Sequence, residues 1–424
     1  MILPGARPWS RSSSPWSRTA PGSWRCSRLA IDPSPSNGCS SSITLKWVFK
    51  LKKDERGAVI KHKARLVARG FVQQEGIDYD DSFAPVARME SLRVLALAAQ
   101  EGWPVHHMDV KSAFLNGDLK EDVYVRQPPG FAGEENKVYR LHKALYGLCQ
   151  APRAWNEKLD ATLKEMGFQQ SSHEATMYRR SSGRAILLVG VYVDDLIITG
   201  TDEKEVAAFK AQMMKAIEMS DLGLLSFYIG VEVRQSASGV NLRQTHYAER
   251  IMELGGMEGC NPAATRMEER LKLSRFSTAE AVDPTHYRRL IGSLRYQVHT
   301  RPDIAFTVCF VSRFMEKPTM EHLAAVKRIL RYLAGTLDYR LQFTRDPDSA
   351  RFVGYCDSDL GGDIDTSKST TGVLFLVSVW CPGSPSSRKW WHSPAVKQSM
   401  WLLPLLLHKA CGCRDCWLSY LEDL

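Results

Sequence analysis

Two adjacent carboxylates, Asp194 and Asp195, interrupt the apolar stretch GVYVDDLIITG at Gly190–Gly200. The flanking β-branched residues favour extended strands, whereas Asp-Asp favours a turn. A hairpin with both aspartates at its tip satisfies both preferences. A solvated turn is one reading of such a tip. The other reading needs a third acid nearby, and HHMDVKSAFLNGD supplies Asp109 on the short apolar strand Val105–Val110. Clustered hard oxygens are what Mg²⁺ takes, together with substrate phosphates. Two such ions can activate a 3′-hydroxyl and stabilise a leaving pyrophosphate during in-line attack. His106 and His107 beside Asp109 raise a zinc site as an alternative, but no second cluster of soft ligands accompanies them.

The elements that must position these acids follow from hydrophobic spacing. Strand-like Lys46–Leu51, the charged turn KKDERG and the basic segment KHKARLVARG at Lys61–Gly70 suggest a hairpin. Helical spacing marks Glu90–Gln100 and the amphipathic Trp155–Met166, and strand patterns mark Met177–Arg180 and Ala185–Thr199. Helices are then predicted at Lys204–Ile217, Tyr247–Leu254, Tyr287–His299, Ile304–Met315 and His322–Leu333. Strands follow at Tyr339–Thr344, Phe352–Asp357 and Thr371–Val377. The order is mixed rather than alternating, which predicts an α+β chain with more than one domain.

A length of 424 residues with 44% hydrophobic content allows two or three packed domains. Lys and Arg total 56 against 47 acids, and the net charge of +9 suits a polyanionic partner such as nucleic acid. No apolar run reaches membrane-spanning length, and Met1–Ser42 lacks the continuous apolar core of a signal peptide. Cys149, Cys260, Cys309 and Cys356 are scattered singly, as isolated thiols of a reducing compartment are.

From about Ile43 to Val377 the chain resembles the reverse transcriptase of copia-type LTR retrotransposons. The matching stretches are KWVFKLKKDERG, KHKARLVARGF, DYDDSFAPVARMESLR, HHMDVKSAFLNGDL, LYGLCQAPRAW, YVDDLIITG and TRPDIAF, in the family's order. The resemblance implies a right-hand polymerase with fingers, palm and thumb, followed by a connection and an incomplete ribonuclease H-like domain. It implies fingers and palm over 43–245, thumb and connection over 246–344, and a ribonuclease H-like start over 345–377. Asp109, Asp194 and Asp195 match the polymerase ligands of Mg²⁺ (or Mn²⁺). Phe114 matches the aromatic that crowds the sugar 2′ position and favours deoxynucleotides. Lys63 and Arg65 match the basic finger strand that contacts the triphosphate. Gln150 and Pro152 match the segment under the incoming nucleotide and template. The implied partners are an RNA template, a DNA primer, deoxynucleoside triphosphates and other parts of a Pol polyprotein, with no membrane. The implied setting is a cytoplasmic virus-like particle of the intact element, or the nucleus.

A second site starts but is not completed. GYCDSDLGGDIDTSKSTTGVLFLV resembles the first strands of the ribonuclease H domain, and Asp357 matches its first metal-binding aspartate. The family's acidic SEAEY helix is missing, and AVKQSMWLL stands in its place. Read one frame over, codons for Cys381–Pro404 can encode SWQSLKQKVVALSSSEAEYVAAA, so 378–424 reads as a frameshifted tail. His408, Cys411, Cys413 and Cys416 then owe their zinc-like spacing to the wrong frame. The same test turns Leu29–Gly38 into GHRPITLKW, and ITLKW reappears in frame at Ile43–Trp47. Residues 1–42 are accordingly expected to be out of frame and without fixed structure. The nucleotide sequence tests both flanks. The sequence therefore predicts an RNA-directed DNA polymerase module without ribonuclease H activity. The alternatives are a retrotransposon relic that binds nucleic acid without synthesis, and a two-metal nuclease. The nuclease leaves the finger and Gln150 segments unexplained.

Overall fold

The computed structural model describes residues 42–53, 58–86, 92–128, 137–172, 174–269, 271–345, 352–358, 361–368 and 371–377, with backbone strands at 16–20, 23–26, 31–35 and 400–401. The chain forms two compact units. The first comprises Met1–Ala87, His107–Ile198 and Asp202–Asp221, and the second Arg88–His106, Thr199–Thr201 and Leu222–Leu424. Segment 88–106 belongs to the second unit, with its helix α1 (Leu92–Glu101) on that unit's sheet.

In the first unit, β1 (Trp16–Ala20) pairs with β2 (Ser23–Cys26), and β3 (Ile31–Pro35) precedes the basic hairpin. That hairpin joins β4 (Leu45–Lys53) and β5 (Val59–Ala68), in register from Leu45 opposite Ala68 to Lys53 opposite Val59. Only its base is buried: Leu45, Leu66 and Ala68 share a core with Val123, Val125, Leu141 and Leu148, while Val48, Phe49 and Leu51 are exposed. His106–Val110 is β6. β7 (Asp118–Arg126) and β8 (Lys137–Lys143) extend a sheet of order β3-β8-β7.

The sheet beneath the acids has the order β13-β6-β12-β11-β10-β9. Its remaining strands are β9 (Gln169–Gln170), β10 (Met177–Ser182), β11 (Ala185–Tyr192), β12 (Asp195–Gly200) and β13 (Met219–Leu224). Leu187, Val189 and Val191 of β11 and Leu196 and Ile198 of β12 face one core with α2 (Ala151–Glu165) and α3 (Glu203–Ala216). The alternate residues Leu188 and Ile197 are buried as well. Burial on both faces explains why this stretch is apolar throughout, save for its acids.

The second unit is built around the antiparallel sheet β14-β15-β16-β17: β14 (Phe227–Tyr228), β15 (Val231–Ser236), β16 (Gly239–Arg243) and β17 (Leu341–Thr344). Between its last two strands come α4 (Thr245–Leu254), α5 (Pro284–Gln297), α6 (Ala305–Ser312) and α7 (Met320–Ala334). Ile251, Leu290, Leu294, Val308, Ile329 and Leu333 form their common core. The Asp283 carboxylate accepts from the Thr285 and His286 N–H groups at 2.9 and 3.1 Å, and Pro284 opens α5. This cap starts the helix ahead of the predicted Tyr287. β18 (Phe352–Ser358) pairs antiparallel with β19 (Thr371–Val377), and β20 (Met400–Trp401) joins β19.

One ion pair, its arginine buried, ties the helices of this unit to the chain leaving α7. Arg301, 3% exposed, donates from its guanidinium to both carboxylate oxygens of Asp303 at 2.9 and 2.8 Å. The same guanidinium donates to the Thr336 carbonyl at 2.9 Å and hydroxyl at 2.7 Å. It also lies 5.6 Å from the Tyr332 ring centroid and 5.1 Å from that of Tyr339. Burial works against ionisation of Asp303, but Arg301 and the Tyr332 hydroxyl outweigh it and hold the carboxyl below its ordinary range.

Candidate active site

The strand–turn–strand reading of VDD holds, but of the two aspartates expected at the tip only Asp194 lies in the turn. β11 ends at Tyr192, Val193 and Asp194 make the turn, and Asp195 opens β12. Val193 adopts φ +54°, a conformation rare for a β-branched residue. Its carbonyl accepts a 2.6 Å hydrogen bond from the indole N–H of Trp155, a core residue of α2. β6 runs beside β12, and the Val110 N–H donates to the Asp194 carbonyl at 2.7 Å. This bond sets Asp109 beside the turn.

The acids are crowded. Burial is the main cause pushing the Asp194 carboxyl above its ordinary range, and the charges of Asp195 and Asp109 push the same way. Its own backbone N–H and the Lys63 ammonium oppose them. Asp195 has a separate engagement: His107 Nε2 lies 2.8 Å from its Oδ1.

The basic strand reaches the same place. Lys63 and Arg65 alternate on β5 and so share a face. The Arg65 guanidinium lies 5.3 Å from the Tyr146 ring centroid, and Phe114 meets that ring edge-on at 5.0 Å. Burial raises the Tyr146 hydroxyl pKa; Arg65 lowers it, and Asp194 and Asp109 raise it. Tyr146 therefore lies among Arg65, Phe114 and the acids. Sequence reasoning missed its role, although it stands in LYGLCQAP directly before Gly147 at φ +92°.

Gln150 is fully buried and Pro152 half-buried at the start of α2. Gln73, also missed, donates to the Gln150 side-chain oxygen at 3.1 Å and accepts from the Cys149 N–H at 2.9 Å. The two segments meet at glycines. A Cβ on Gly147 would stand 2.2 Å from the Ala68 carbonyl, and one on Gly70 would stand 2.0 Å from that of Gly147. Asp357 lies on β18 of the second unit, with its side chain outside the described residues. His408, Cys411, Cys413 and Cys416 are outside them too.

Among the described residues, no group of three or more His, Cys, Asp or Glu is arranged to hold a metal ion. The neighbouring carboxylates of Asp109, Asp194 and Asp195 are hard oxygen donors. Mg²⁺ commonly takes one or two carboxylates and completes its shell with water and substrate phosphate, so the donor set suits it. Among the described residues, no helix is long and apolar enough to cross a membrane.

A family model described as reverse transcriptase (RNA-dependent DNA polymerase) matches residues 32–269, and the chain belongs to this family. Its match begins ahead of Ile43. Within the family, the chain is similar to Pol polyproteins of copia-type elements. It is 39% identical over 362 residues to the retrovirus-related Pol polyprotein from transposon RE1 of Arabidopsis thaliana, covering 85% of this chain and 24% of that one. It is 42% identical over 349 residues to that from transposon TNT 1-94 of Nicotiana tabacum, covering 79% and 26%. The chain thus spans about a quarter of these polyproteins. A putative transposon Ty5-1 protein of Saccharomyces cerevisiae is 34% identical and is covered over 92% of its length. A solved foamy viral protease-reverse transcriptase in complex with double-stranded DNA aligns with a TM-score of 0.40 at 11% identity, covering 78% of this chain and 50% of that one.

Proposed function

We propose that this chain is the RNA-directed DNA polymerase part of a copia-type retrotransposon polyprotein, a right-hand polymerase whose first unit adds deoxynucleotides to a primer. The observation that carries the reading is the grouping of Asp109, Asp194 and Asp195 with Lys63, Arg65, Tyr146 and Phe114 in a reverse transcriptase family member. Lys63 and Arg65 take the triphosphate oxygens, the planar guanidinium suiting bidentate contact. Phe114, braced by Tyr146, walls the sugar. Gln150 and Pro152, held by Gln73, support the nucleotide from α2. Asp109, Asp194 and Asp195 would hold Mg²⁺ or Mn²⁺, which when bound supplies positive charge for the attacking 3′-hydroxyl and the leaving pyrophosphate.

Primer extension tests this. The full chain with an RNA template, a DNA primer, deoxynucleoside triphosphates and Mg²⁺ should lengthen the primer, and Asp194→Asn should stop extension while primer–template binding persists. Binding without extension by the unaltered chain would favour a relic that holds nucleic acid without synthesis. No ribonuclease H activity is expected. RNA-strand degradation that disappears in Asp357→Asn would overturn that point.

A further inference from the structure

We infer that Tyr146 is a positioning residue for the incoming nucleotide, its one ring holding Phe114 against the sugar and Arg65 against the triphosphate. The inference rests on the proposed reading of Phe114 as the sugar wall and of Arg65 as a triphosphate contact. The ring of Tyr146 meets that of Phe114 edge-on, with centroids 5.0 Å apart and planes at 61°. The Arg65 guanidinium lies over the same ring, 5.3 Å from its centroid. Both are the distances of attractive aromatic and cation–π contacts.

Tyr146 can serve two neighbours because its own backbone is held. Its carbonyl accepts from the Ala68 N–H at 2.7 Å, and the next carbonyl, of Gly147, accepts from the Gly70 N–H at 3.1 Å. Gly147 stands at φ +92°, and neither it nor Gly70 has space for a Cβ. These bonds tie Tyr146 to the end of β5, the strand that carries Arg65. Phe114 needs such a brace. It lies on the short 3₁₀ turn Ala113–Asn116, entered through Ser112 at φ +56°, and is only partly buried. A ribonucleotide differs from its deoxynucleotide by one oxygen, and an apolar wall rejects an added hydroxyl by about a hundredfold. A displacement of about half an ångström is enough to spoil such a fit. Tyr146 therefore governs how well the wall discriminates, whereas its hold on Arg65 bears on both kinds of nucleotide equally.

Single-nucleotide primer extension by the full chain, with kcat and KM measured for a deoxynucleotide and the matching ribonucleotide, separates the two contacts. The ratio of their kcat/KM values reports Phe114, and a change in KM shared by both reports Arg65. Tyr146→Leu should lower the ratio about tenfold and raise both KM values about threefold or more. Tyr146→Phe keeps the ring and should match the parent's ratio within about twofold. Phe114→Val should lower the ratio at least as far as Tyr146→Leu, and combining the two should lower it no further, because the wall is already gone. A merely structural tyrosine would slow both nucleotides alike and leave the ratio in place. A folded Tyr146→Leu protein with the parent's ratio overturns the inference; Tyr146→Met, a second ring deletion, serves if Tyr146→Leu does not fold. A ratio lost in Tyr146→Phe overturns it too, as does a Tyr146→Leu loss that simply adds to that of Phe114→Val. If the parent adds no nucleotide, or Phe114→Val keeps the parent's ratio, the sugar-wall reading itself fails, and the role of Tyr146 with it.

Discussion

Asp194 and Asp303 are both partly buried aspartates, and their carboxyls are displaced in opposite directions. In the second unit, burial of Asp303 is outweighed by Arg301, which also satisfies Thr336 and stacks on two tyrosines. In the first unit, burial of Asp194 is reinforced by two like charges, with Lys63 a lesser opposing influence. A closed network of opposite charges serves the fold. A crowd of like charges beside a strained turn does not, and the proposed cation would offset that repulsion.

The comparison can be broken at several points. The largest expected effect is on chemistry: Asp194→Asn should slow primer extension about 10³-fold or more. The same variant should not lower the melting temperature. With its folded-state pKa raised, ionised Asp194 costs stability above that pKa, and the cost disappears as pH falls through it. Arg301→Ala should do the reverse, destabilising by about 2–4 kcal/mol in urea unfolding because the partly buried Asp303 and the Thr336 acceptors lose their partner. Since the folded-state pKa of Asp303 is lowered, its contribution is present above the ordinary carboxylate range and lost as pH falls through the folded value. An acid titration of stability in the parent and in Asp303→Asn should converge at low pH.

Smaller effects sharpen the role of the turn. Trp155→Phe removes the donor to the Val193 carbonyl and should cost about 1–3 kcal/mol in chemical denaturation. Extension at saturating nucleotide should slow as well, while primer–template affinity stays constant. Val193→Gly relieves a positive φ and should stabilise by about 0.5–1 kcal/mol in the same measurement.

The acids were legible because their chemistry clashes with their surroundings: Asp194 and Asp195 sit in an apolar strand run, and only a hairpin tip accommodates them. Helices with a wide apolar face, such as α3 and α7, were legible for the same reason of pattern. β7 was not, since DLKEDVYVR buries only Val123 and Val125. The two-residue β14 is too short to establish a period. The start of α2 was set too late, at Trp155, although Pro152 within QAPRAW is a first-turn signal. Gln73 lies 77 residues from Gln150, and no local pattern could join them. His107 was read only against a zinc site, because nothing in the sequence reports that β6 and β12 are neighbours.

The sheet of the second unit has a consequence for synthesis. Asn241 of β16 pairs with Gln342 of β17, while α4 to α7 are all made between them. The contact closes a loop of roughly a hundred residues, which makes it a late and slow event in folding. Until Leu341–Thr344 leaves the ribosome, β16 presents an open edge to any passing strand, including one from a second nascent copy. Chains stopped anywhere among the four helices should therefore aggregate through that edge, even though every residue of the first unit has already been made.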